Sequence, residues 1–129
     1  YIMRELFISK RDIRVFENQH GKMKQLYTPN PLGGVFFAQM EAYLKSGMEN
    51  EQFYGWGRED GERVNRWKIL GYTHTHVEGP LYHLSHKRGK NSSFHSPSQN
   101  YIKGSELYRL GGMSKEELLK EVSQWRKLR

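Results

Sequence analysis

Apolar and acidic residues follow a helical pattern in two segments in the middle of the chain. Residues 59–70 begin with two acids, carry apolar residues three apart, and are followed by Gly71. Acids suit the first turn of a helix because they complement its dipole, and glycine commonly follows the last turn. Residues 39–46 have the composition of a helix and precede Gly47. We therefore predict one helix over each segment.

The clearest helical pattern lies near the carboxyl end, over residues 114–128. Ser114 and Glu117 have the spacing of a capping box, in which each side chain accepts a hydrogen bond from the backbone N–H of the other residue. One face of this helix is apolar and consists of Leu118, Val122 and Trp125. We expect that face to pack on the body of the domain.

Four shorter runs have the alternation or the apolar content of β-strands. They are residues 13–19, 35–38, 72–77 and 81–86. The segment that follows, residues 87–100, is polar and rich in serine, asparagine and glycine, which predicts a long loop. Strands among helices predict an α/β fold, with a mixed sheet and flanking helices. The length of 129 residues predicts a single domain over residues 1–129.

The composition narrows the class of protein. Aromatic residues are plentiful, with 3 Trp, 8 Tyr and 6 Phe, so large side chains are available for a core. The chain has no Cys, which excludes a disulfide framework and a thiolate metal site. It shows no long apolar run and no signal peptide, so we predict no membrane span. Because the sequence starts at Tyr1, we expect a segment of a longer protein. The lack of Cys and of a membrane anchor predicts a bacterial cytoplasmic location.

The charge is strongly basic. A formal charge of +7 and an isoelectric point near 9.7 favour anionic partners, namely nucleic acid, phosphorylated small molecules or a membrane surface. Ordinary solubilising charge is the alternative. Lys87, Arg88 and Lys90 form a cluster that suits phosphate groups, or else a solvated loop. Long basic runs of the kind found in nucleic-acid-binding tails are absent.

The stretch GWGREDGERVNRW, residues 55–67, is the first candidate for chemistry. Its two glycines permit a sharp turn, and Trp56 between them offers a flat apolar plate on which a sugar or a base can stack. Glu59 and Asp60 follow at the start of a predicted helix, where the dipole and the backbone amides keep carboxylates ionised. Such a carboxylate can accept a proton from a bound hydroxyl. The alternative is that the acids only cap the helix and that Trp56 is a core residue.

Histidines form the second candidate. His74 and His76 lie two apart, as on one face of a strand, and His83 and His86 lie three apart, as in a turn. Neutral imidazole binds Mn, Zn, Fe or Co, so a metal site is one interpretation and a set of surface histidines is the other. No zinc-protease or other hydrolase pattern is present, which disfavours a metal-dependent hydrolase.

These residues together resemble a known family. The segment 33–91, and above all GWG-x-ED at Gly55–Asp60 followed by the pair Asn65-Arg66, is similar to the carboxyl-terminal catalytic segment of the beta-1,4-galactosyltransferase family. Related enzymes are the polypeptide N-acetylgalactosaminyltransferases and the chondroitin-polymerase-type bacterial glycosyltransferases. The resemblance implies the carboxyl-terminal part of a GT-A-type domain, and a metal-assisted, inverting transfer of a galactose or N-acetylgalactosamine type sugar from a UDP-sugar to an acceptor hydroxyl.

The resemblance also implies roles for individual residues. Asp60, the second acid of the motif, is the implied catalytic base. Glu59 would orient sugar hydroxyls, Trp56 would line the pocket, and the Gly33-Gly34 turn would pass close to the donor sugar. The substrate-binding residues that follow from the resemblance and the basic cluster are Gly33, Gly34, Trp56, Gly57, Glu59, Lys87 and Arg88.

A divalent cation, Mn²⁺ in most of these enzymes, is the implied cofactor. The galactosyltransferases carry an M-x-x-H metal-ligand pair before a flexible loop, and His83-Leu84-Ser85-His86 falls in that place. The resemblance therefore implies His86 as the first metal ligand and His83 as the second. A glycan acceptor and the UDP-sugar donor are the implied partners, with no nucleic acid among them.

Two features depart from the family pattern. Gly61 and Glu62 follow the motif where further acids are common, and this leaves the acceptor open. Residues 1–32 contain no Asp-x-Asp metal motif, since Asp12 stands alone. We therefore expect the chain to be the second half of a catalytic domain, inactive without its upstream half. The alternative is a non-catalytic module that binds carbohydrate or nucleic acid.

Overall fold

The computed structural model describes residues 7–26, 31–84, 86–93 and 96–127 of the chain. The regular elements of these residues are helical, beginning with a helical turn over residues 7–10. The elements that follow are α1 (Arg14–Glu17), a 3-10 turn (His20–Lys22), α2 (Met40–Lys45), α3 (Glu59–Leu70), α4 (Lys90–Ser93), α5 (Pro97–Gly111) and α6 (Lys115–Lys127). None of the helices formed by the described residues is long and apolar enough to cross a membrane.

The chain divides into two compact units. The first unit consists of Tyr1–Pro31 and Val77–Lys87, and the second of Leu32–His76 and Arg88–Arg129. Helix α1 and the 3-10 turn belong to the first unit, and helices α2 to α6 belong to the second. The glycine turn, the GWG motif and the acidic pair therefore all lie in the second unit.

An aromatic cluster organises the first unit. The side chain of Phe16, on α1, is buried. Its ring centroid lies 4.8 Å from that of Phe7 and 5.1 Å from that of Tyr82. The rings of His20 and Tyr82 are nearly perpendicular, and their centroids lie 6.1 Å apart. Stacked and tilted aromatic pairs at these separations hold α1 against the segment that contains Tyr82.

The predicted mixed sheet is absent from the residues that the structure describes, so the α/β, GT-A-type expectation is wrong. Residues 13–19 contain α1, while residues 35–38, 72–77 and the described part of 81–86 have no regular secondary structure. A strand needs a neighbour to pair its backbone N–H and C=O groups, and alternation along one segment does not report whether that neighbour exists. Apolar side chains of these runs lie at the surface, as at Phe37 (87% exposed).

The predicted loop over residues 87–100 is also wrong in part. Residues 90–93 form the short helix α4, and α5 begins at Pro97. The side chain of Ser96 caps α5, because its Oγ accepts a hydrogen bond from the N–H of Gln99 at 3.1 Å. Proline at the first helical position, preceded by a serine cap, is a common helix start. The polar composition of residues 87–100 predicted a loop, although a helix of 15 residues begins within this segment.

Helix α3 has the bounds that the sequence predicts. It runs from Glu59 to Leu70 and ends at Gly71, which adopts a left-handed conformation with φ of 88°. Helix α2 is followed by Gly47, also left-handed, at the predicted stop. A Cβ at Gly47 would lie only 2.8 Å from Cβ of Val122, so the backbone there packs directly on α6. Glycine is required at this position for both reasons.

The core of the second unit lies where α3 meets α5 and α6. It consists of Leu70, Leu110, Leu118 and Val122. Leu118 and Val122 are fully buried, as the predicted apolar face of the last helix requires, and Trp125 packs against them while partly buried. Each fully buried aliphatic side chain contributes about 1.5–3 kcal/mol relative to exposure.

The capping box at the start of α6 is confirmed. The N–H of Ser114 donates to Glu117 Oε2 at 2.8 Å, and the N–H of Glu117 donates to Ser114 Oγ at 3.2 Å. The hydrogen bond from the Ser114 backbone N–H lowers the pKa of Glu117, and the Ser114 side chain adds to that effect. The helix therefore has a defined start, which fixes the register of its apolar face.

Replacing Ser114 with alanine is expected to lower the free energy of unfolding by about 1 kcal/mol, because the N–H of Glu117 loses its acceptor. Thermal and urea unfolding followed by circular dichroism would measure the change. Ser105→Ala, at an exposed position inside α5, is the matched control and should not lower the free energy of unfolding, because alanine favours a helix interior more than serine does. An equal effect of both substitutions would contradict a capping role for Ser114.

A buried ion pair lies within α3, and its arginine joins this helix to the residues that follow α2. The side chain of Arg66 is fully buried and that of Glu62 is 3% exposed. Arg66 Nε donates to Glu62 Oε1 at 2.6 Å, and Nη2 donates to Glu62 Oε2 at 3.1 Å. Arg66 also donates to the backbone carbonyls of Ser46 and Met48. Since both charges are taken out of water, the pair depends on this complete set of partners.

A second arginine joins α5 to α6. Arg109 donates to Glu106 and to Glu121, each at 2.8 Å. The hydrogen bond from Arg109 lowers the pKa of Glu121. Burial acts to raise the pKa of Glu106, but hydrogen bonds from Arg109 and Asn50 outweigh it and lower that pKa. Each carboxylate has a lower pKa in the folded protein than in the unfolded chain. Its contribution to stability is therefore fully present at a pH above the unfolded-state pKa. The contribution is lost as the pH falls through the folded-state pKa.

Candidate active site

The acidic pair of the GWG motif occupies the first turn of α3. The side chain of Asp60 is 35% exposed and forms an ion pair with Arg63, one turn further along the helix. Arg63 Nη2 donates to Asp60 Oδ1, so one carboxylate oxygen has a fixed partner. Solvent still reaches the carboxylate, which is therefore both oriented and accessible.

The glycine turn lies directly against this carboxylate. A Cβ built at Gly33 would meet Asp60 Cγ at 3.1 Å and Asp60 Oδ2 at a still shorter distance, so only glycine fits without displacing the side chain. Gly34 has a different requirement, because its φ of 111° is one that other residues rarely adopt. The structure thus brings together Gly33 and Asp60, two residues that the resemblance assigned to the same site.

The side chain of Glu59 points one carboxylate oxygen into the protein. Its Oε2 is buried and has no hydrogen-bond partner among the residues that the structure describes. An unpaired buried polar atom is costly, and a carboxylate oxygen can only accept hydrogen bonds. This oxygen is therefore suited to a donor such as a hydroxyl group.

The GWG turn presents its tryptophan to solvent. Trp56 is 50% exposed, so the alternative that it belongs to the core is wrong. The turn is sharp, since Gly55, Gly57 and Arg58 all have positive φ, and Arg58 is also the N-cap residue of α3. Neither acid takes the N-cap position, which disfavours the interpretation that they serve only as caps. Trp56 offers a ring face of the kind on which a sugar can stack.

A buried lysine holds this turn in place. Lys103, on α5, is 2% exposed, and its Nζ donates to the carbonyl oxygen of Trp56 at 2.8 Å. Arg58 also reaches α5, where a Cβ at Gly104 would lie 2.7 Å from its Nη1. No sequence pattern marks Lys103, because lysine is almost always exposed. The position of the aromatic plate therefore depends on α5.

Arg63 is a site residue that the sequence motifs do not mark. Its side chain is 6% exposed and forms ion pairs with Asp60 and with Glu49. The spacing of three residues from Asp60 is typical of a helical ion pair and was the available signal. The contacts with Glu49 and with the ring of Phe36 cross from α3 to other segments, so no local pattern could predict them.

The asparagine-arginine pair of the motif has a structural place. Arg66 is the buried arginine paired with Glu62. Asn65 is exposed and packs near α5, since a Cβ at Gly111 would lie 3.2 Å from Asn65 Nδ2. The most specific part of the motif therefore combines an accessible acidic pair with residues that fix α3.

The four histidines of the second candidate form one ring pair in each unit. The rings of His83 and His86, in the first unit, have centroids 5.4 Å apart, and those of His74 and His76, in the second unit, are 5.0 Å apart. His86 Nδ1 lies 3.0 Å from the carbonyl oxygen of Lys87. In the described part of the chain, no three His, Asp or Glu side chains are grouped so that they could hold a metal.

The two predicted phosphate-binding cations are exposed. Lys87 ends the second segment of the first unit, and Arg88 opens the second segment of the second unit. Exposure on a basic chain agrees with either a phosphate contact or a solvated loop. Their assignment to substrate stays a prediction.

Comparison with known families identifies the class of protein. A family model described as the N-terminal domain of galactosyltransferase matches residues 14–87, which is more than half of the chain. The chain therefore belongs to the galactosyltransferase family, and its function is of the glycosyltransferase type. The matched range includes Gly33, Asp60 and His86, so it covers the turn, the acidic pair and the histidine motif.

The resemblance to galactosyltransferases is thus confirmed at the level of the family. The matching domain is described as N-terminal, whereas the resemblance was to a carboxyl-terminal catalytic segment, and the place of this segment in a longer chain stays a prediction. A search of curated proteins and a search of solved structures each returned no match.

Proposed function

We propose that this chain carries the catalytic base of a glycosyltransferase that moves a galactose or N-acetylgalactosamine type sugar from a UDP-sugar to an acceptor hydroxyl, and that Asp60 is that base. The observation that supports this proposal most is the setting of Asp60: an accessible carboxylate, held by Arg63 and packed against the backbone of Gly33. A proton acceptor must be both oriented and within reach of its substrate.

The proposed step is a single displacement with inversion at the anomeric carbon. The acceptor oxygen forms a bond to the anomeric carbon of the donor sugar. The bond between that carbon and the β-phosphate oxygen breaks, and its electron pair leaves with UDP. The proton of the acceptor hydroxyl passes to the carboxylate of Asp60. Positioning of the hydroxyl and acceptance of its proton are the contributions asked of this chain.

Glu59 and Trp56 would bind sugar in this scheme. The buried Oε2 of Glu59 would accept a hydrogen bond from a sugar hydroxyl, which would give that atom the partner it lacks among the described residues. The exposed face of Trp56 would stack on a sugar ring. Glu59 is adjacent to Asp60 in the first turn of α3, and Trp56 lies four residues before Asp60, in the turn that leads into this helix.

A divalent metal fits this chain in part. His83 and His86 would supply two imidazole ligands, and a hydrogen bond from His86 Nδ1 to the carbonyl of Lys87 would place the proton on Nδ1 and leave Nε2 free to coordinate. The described residues offer no third ligand beside this pair. When bound, Mn²⁺ would neutralise the negative charge that develops on UDP.

Titration of UDP into the full-length protein would test the metal assignment. We expect UDP to bind only when Mn²⁺ is present, and His86→Ala to weaken binding of UDP with Mn²⁺ by roughly 10-fold or more, since a direct ligand is lost. His74→Ala is the matched control, because His74 belongs to the other histidine pair, and should bind UDP like the wild type. Equal weakening by both variants would contradict the assignment of His86, and absence of UDP binding under all conditions would favour a non-catalytic binding module.

A further inference from the structure

Arg63 occupies an unusual position next to the proposed base. Its side chain is 6% exposed, yet two carboxylates share it: Nη2 donates to Asp60, and Nη1 donates to Glu49 Oε2 at 2.9 Å. Its guanidinium carbon lies 4.1 Å from the centroid of the Phe36 ring. The buried guanidinium therefore links the acidic pair to two other segments of the second unit.

These contacts fix the plane of the guanidinium. A guanidinium is a rigid planar fork, so two hydrogen bonds and one stacked ring determine its orientation. The Phe36 ring is itself held, since it meets Trp67 edge to face at 5.6 Å, and Trp67 Nε1 donates to Ser46 Oγ at 2.9 Å. Asp60 is consequently oriented from α3 and, through the stacked ring, from the segment that follows the glycine turn.

The second carboxylate gives Arg63 a charge partner that does not depend on Asp60. If Asp60 were its sole partner, a proton on Asp60 would leave a buried cation without a counter-charge, and proton transfer would be opposed. Glu49 Oε2 accepts from the other nitrogen of Arg63 at 2.9 Å, and Glu49 Oε1 accepts a hydrogen bond from the hydroxyl of Tyr43 at 3.2 Å. Asp60 can thus change its charge while Arg63 remains paired.

We propose that Arg63 is a positioning residue for the base: it holds Asp60 in the orientation that receives the acceptor proton, and Glu49 keeps Arg63 neutralised while Asp60 carries that proton. This inference rests on the proposed function of Asp60. According to this inference, Arg63 and Glu49 support the catalytic step and not the binding of the donor. Their substitution should therefore change kcat and leave the donor KM nearly the same.

The test compares variants of the full-length protein in a UDP-release assay with UDP-galactose and with UDP-N-acetylgalactosamine, water being the acceptor. Arg63→Met is expected to lower kcat about 10²-fold, the effect of misplacing a catalytic group by about 1 Å, with the donor KM within about threefold of the wild type. Arg63→Lys should recover part of kcat, because lysine restores the positive charge but lacks the planar guanidinium that donates to both carboxylates. Glu49→Gln should lower kcat with Arg63 still in place.

Arg109→Met is the matched control, since Arg109 also bridges two carboxylates, Glu106 and Glu121, away from the acidic pair. We expect it to lower thermal stability and to leave kcat per folded molecule unchanged. If Arg63→Met behaves in the same way as Arg109→Met, Arg63 is a structural residue and the proposal is wrong. If Arg63→Met does not fold, Arg63→Lys and Glu49→Gln replace it. A lower kcat with a donor KM close to that of the wild type then supports the proposal, and an unchanged kcat contradicts it.

The assay separates this inference from the function on which it rests. Asp60→Asn that retains wild-type kcat would overturn the proposed base, and a wild-type protein that releases no UDP from either donor would overturn both proposals. If Asp60→Asn is inactive while Arg63→Met keeps the full kcat, Asp60 remains the proposed base. Only the positioning role of Arg63 is then overturned.

Discussion

Replacement of Asp60 by asparagine in the full-length protein is expected to lower the rate of sugar transfer by roughly 10²-fold to 10⁴-fold, the usual contribution of a general base. The amide has the shape of the carboxylate, and its oxygen can still accept the hydrogen bond from Arg63, but it cannot take up a proton. Binding of UDP with Mn²⁺ should survive. Turnover of UDP-galactose and UDP-N-acetylgalactosamine, with calorimetric titration of UDP, would measure the two effects separately.

The matched control for this substitution is Asp12→Asn. Asp12 is the other aspartate of the chain and also pairs with an arginine, Arg14, at 2.7 Å, but it lies outside the GWG motif and outside the residues that the family model matches. The Asp12→Asn substitution should leave the rate of sugar transfer unchanged. Loss of UDP binding by Asp60→Asn would show that Asp60 serves binding rather than proton transfer, and retention of the wild-type rate would exclude it as the base.

Replacement of Arg66 by methionine is expected to lower the free energy of unfolding by about 3–5 kcal/mol, the usual cost of removing one partner of a buried ion pair. Methionine fills much of the space, so the loss comes mainly from Glu62, which is 3% exposed and would keep an unpaired charge. The carbonyls of Ser46 and Met48 would lose their donor as well. Urea unfolding followed by circular dichroism and by tryptophan fluorescence would measure the change.

Lys45→Met offers a matched comparison for Arg66→Met. Lys45 and Glu41 are also four residues apart on a helix and form an ion pair at 2.6 Å, but both side chains are exposed. Exposed pairs contribute little because water solvates each charge almost as well, so the free energy of unfolding should stay the same within experimental error. Equal destabilisation by Lys45→Met and Arg66→Met would contradict the importance of burial for the Glu62–Arg66 pair.

Features that depend on neighbouring residues in the chain were predicted correctly. The start of α3 at its acids, its end at Gly71 and the capping box at Ser114 are confirmed because dipole, backbone conformation and cap chemistry all act within about one turn. The start of α5 at Ser96 belongs to the same class. Its serine and proline are a local start signal, but the high polarity of residues 87–100 is equally typical of a loop.

Features that depend on distant partners could not be predicted in this way. The apolar runs at residues 35–38 and 72–77 have the composition of strands, but a sheet also needs partner strands, which a single run does not reveal. Likewise, the family resemblance assigned Gly33 and Asp60 to one site, but it did not predict the contact between them, since nothing local relates the two positions. The burial of Arg63 depends on Phe36 and Glu49, which lie on other segments.

The hydrogen bond from Lys103 to the carbonyl of Trp56 connects positions 47 apart in the chain. Helix α5 contains no part of the GWG motif, yet it supports the backbone of that turn, because Lys103 donates to the carbonyl of Trp56 and Gly104 leaves room for Arg58. A substitution in this helix can therefore change how the turn presents Trp56 while the motif itself stays the same. Two chains with an identical GWG motif but a different residue at position 103 would hold the same turn by different contacts.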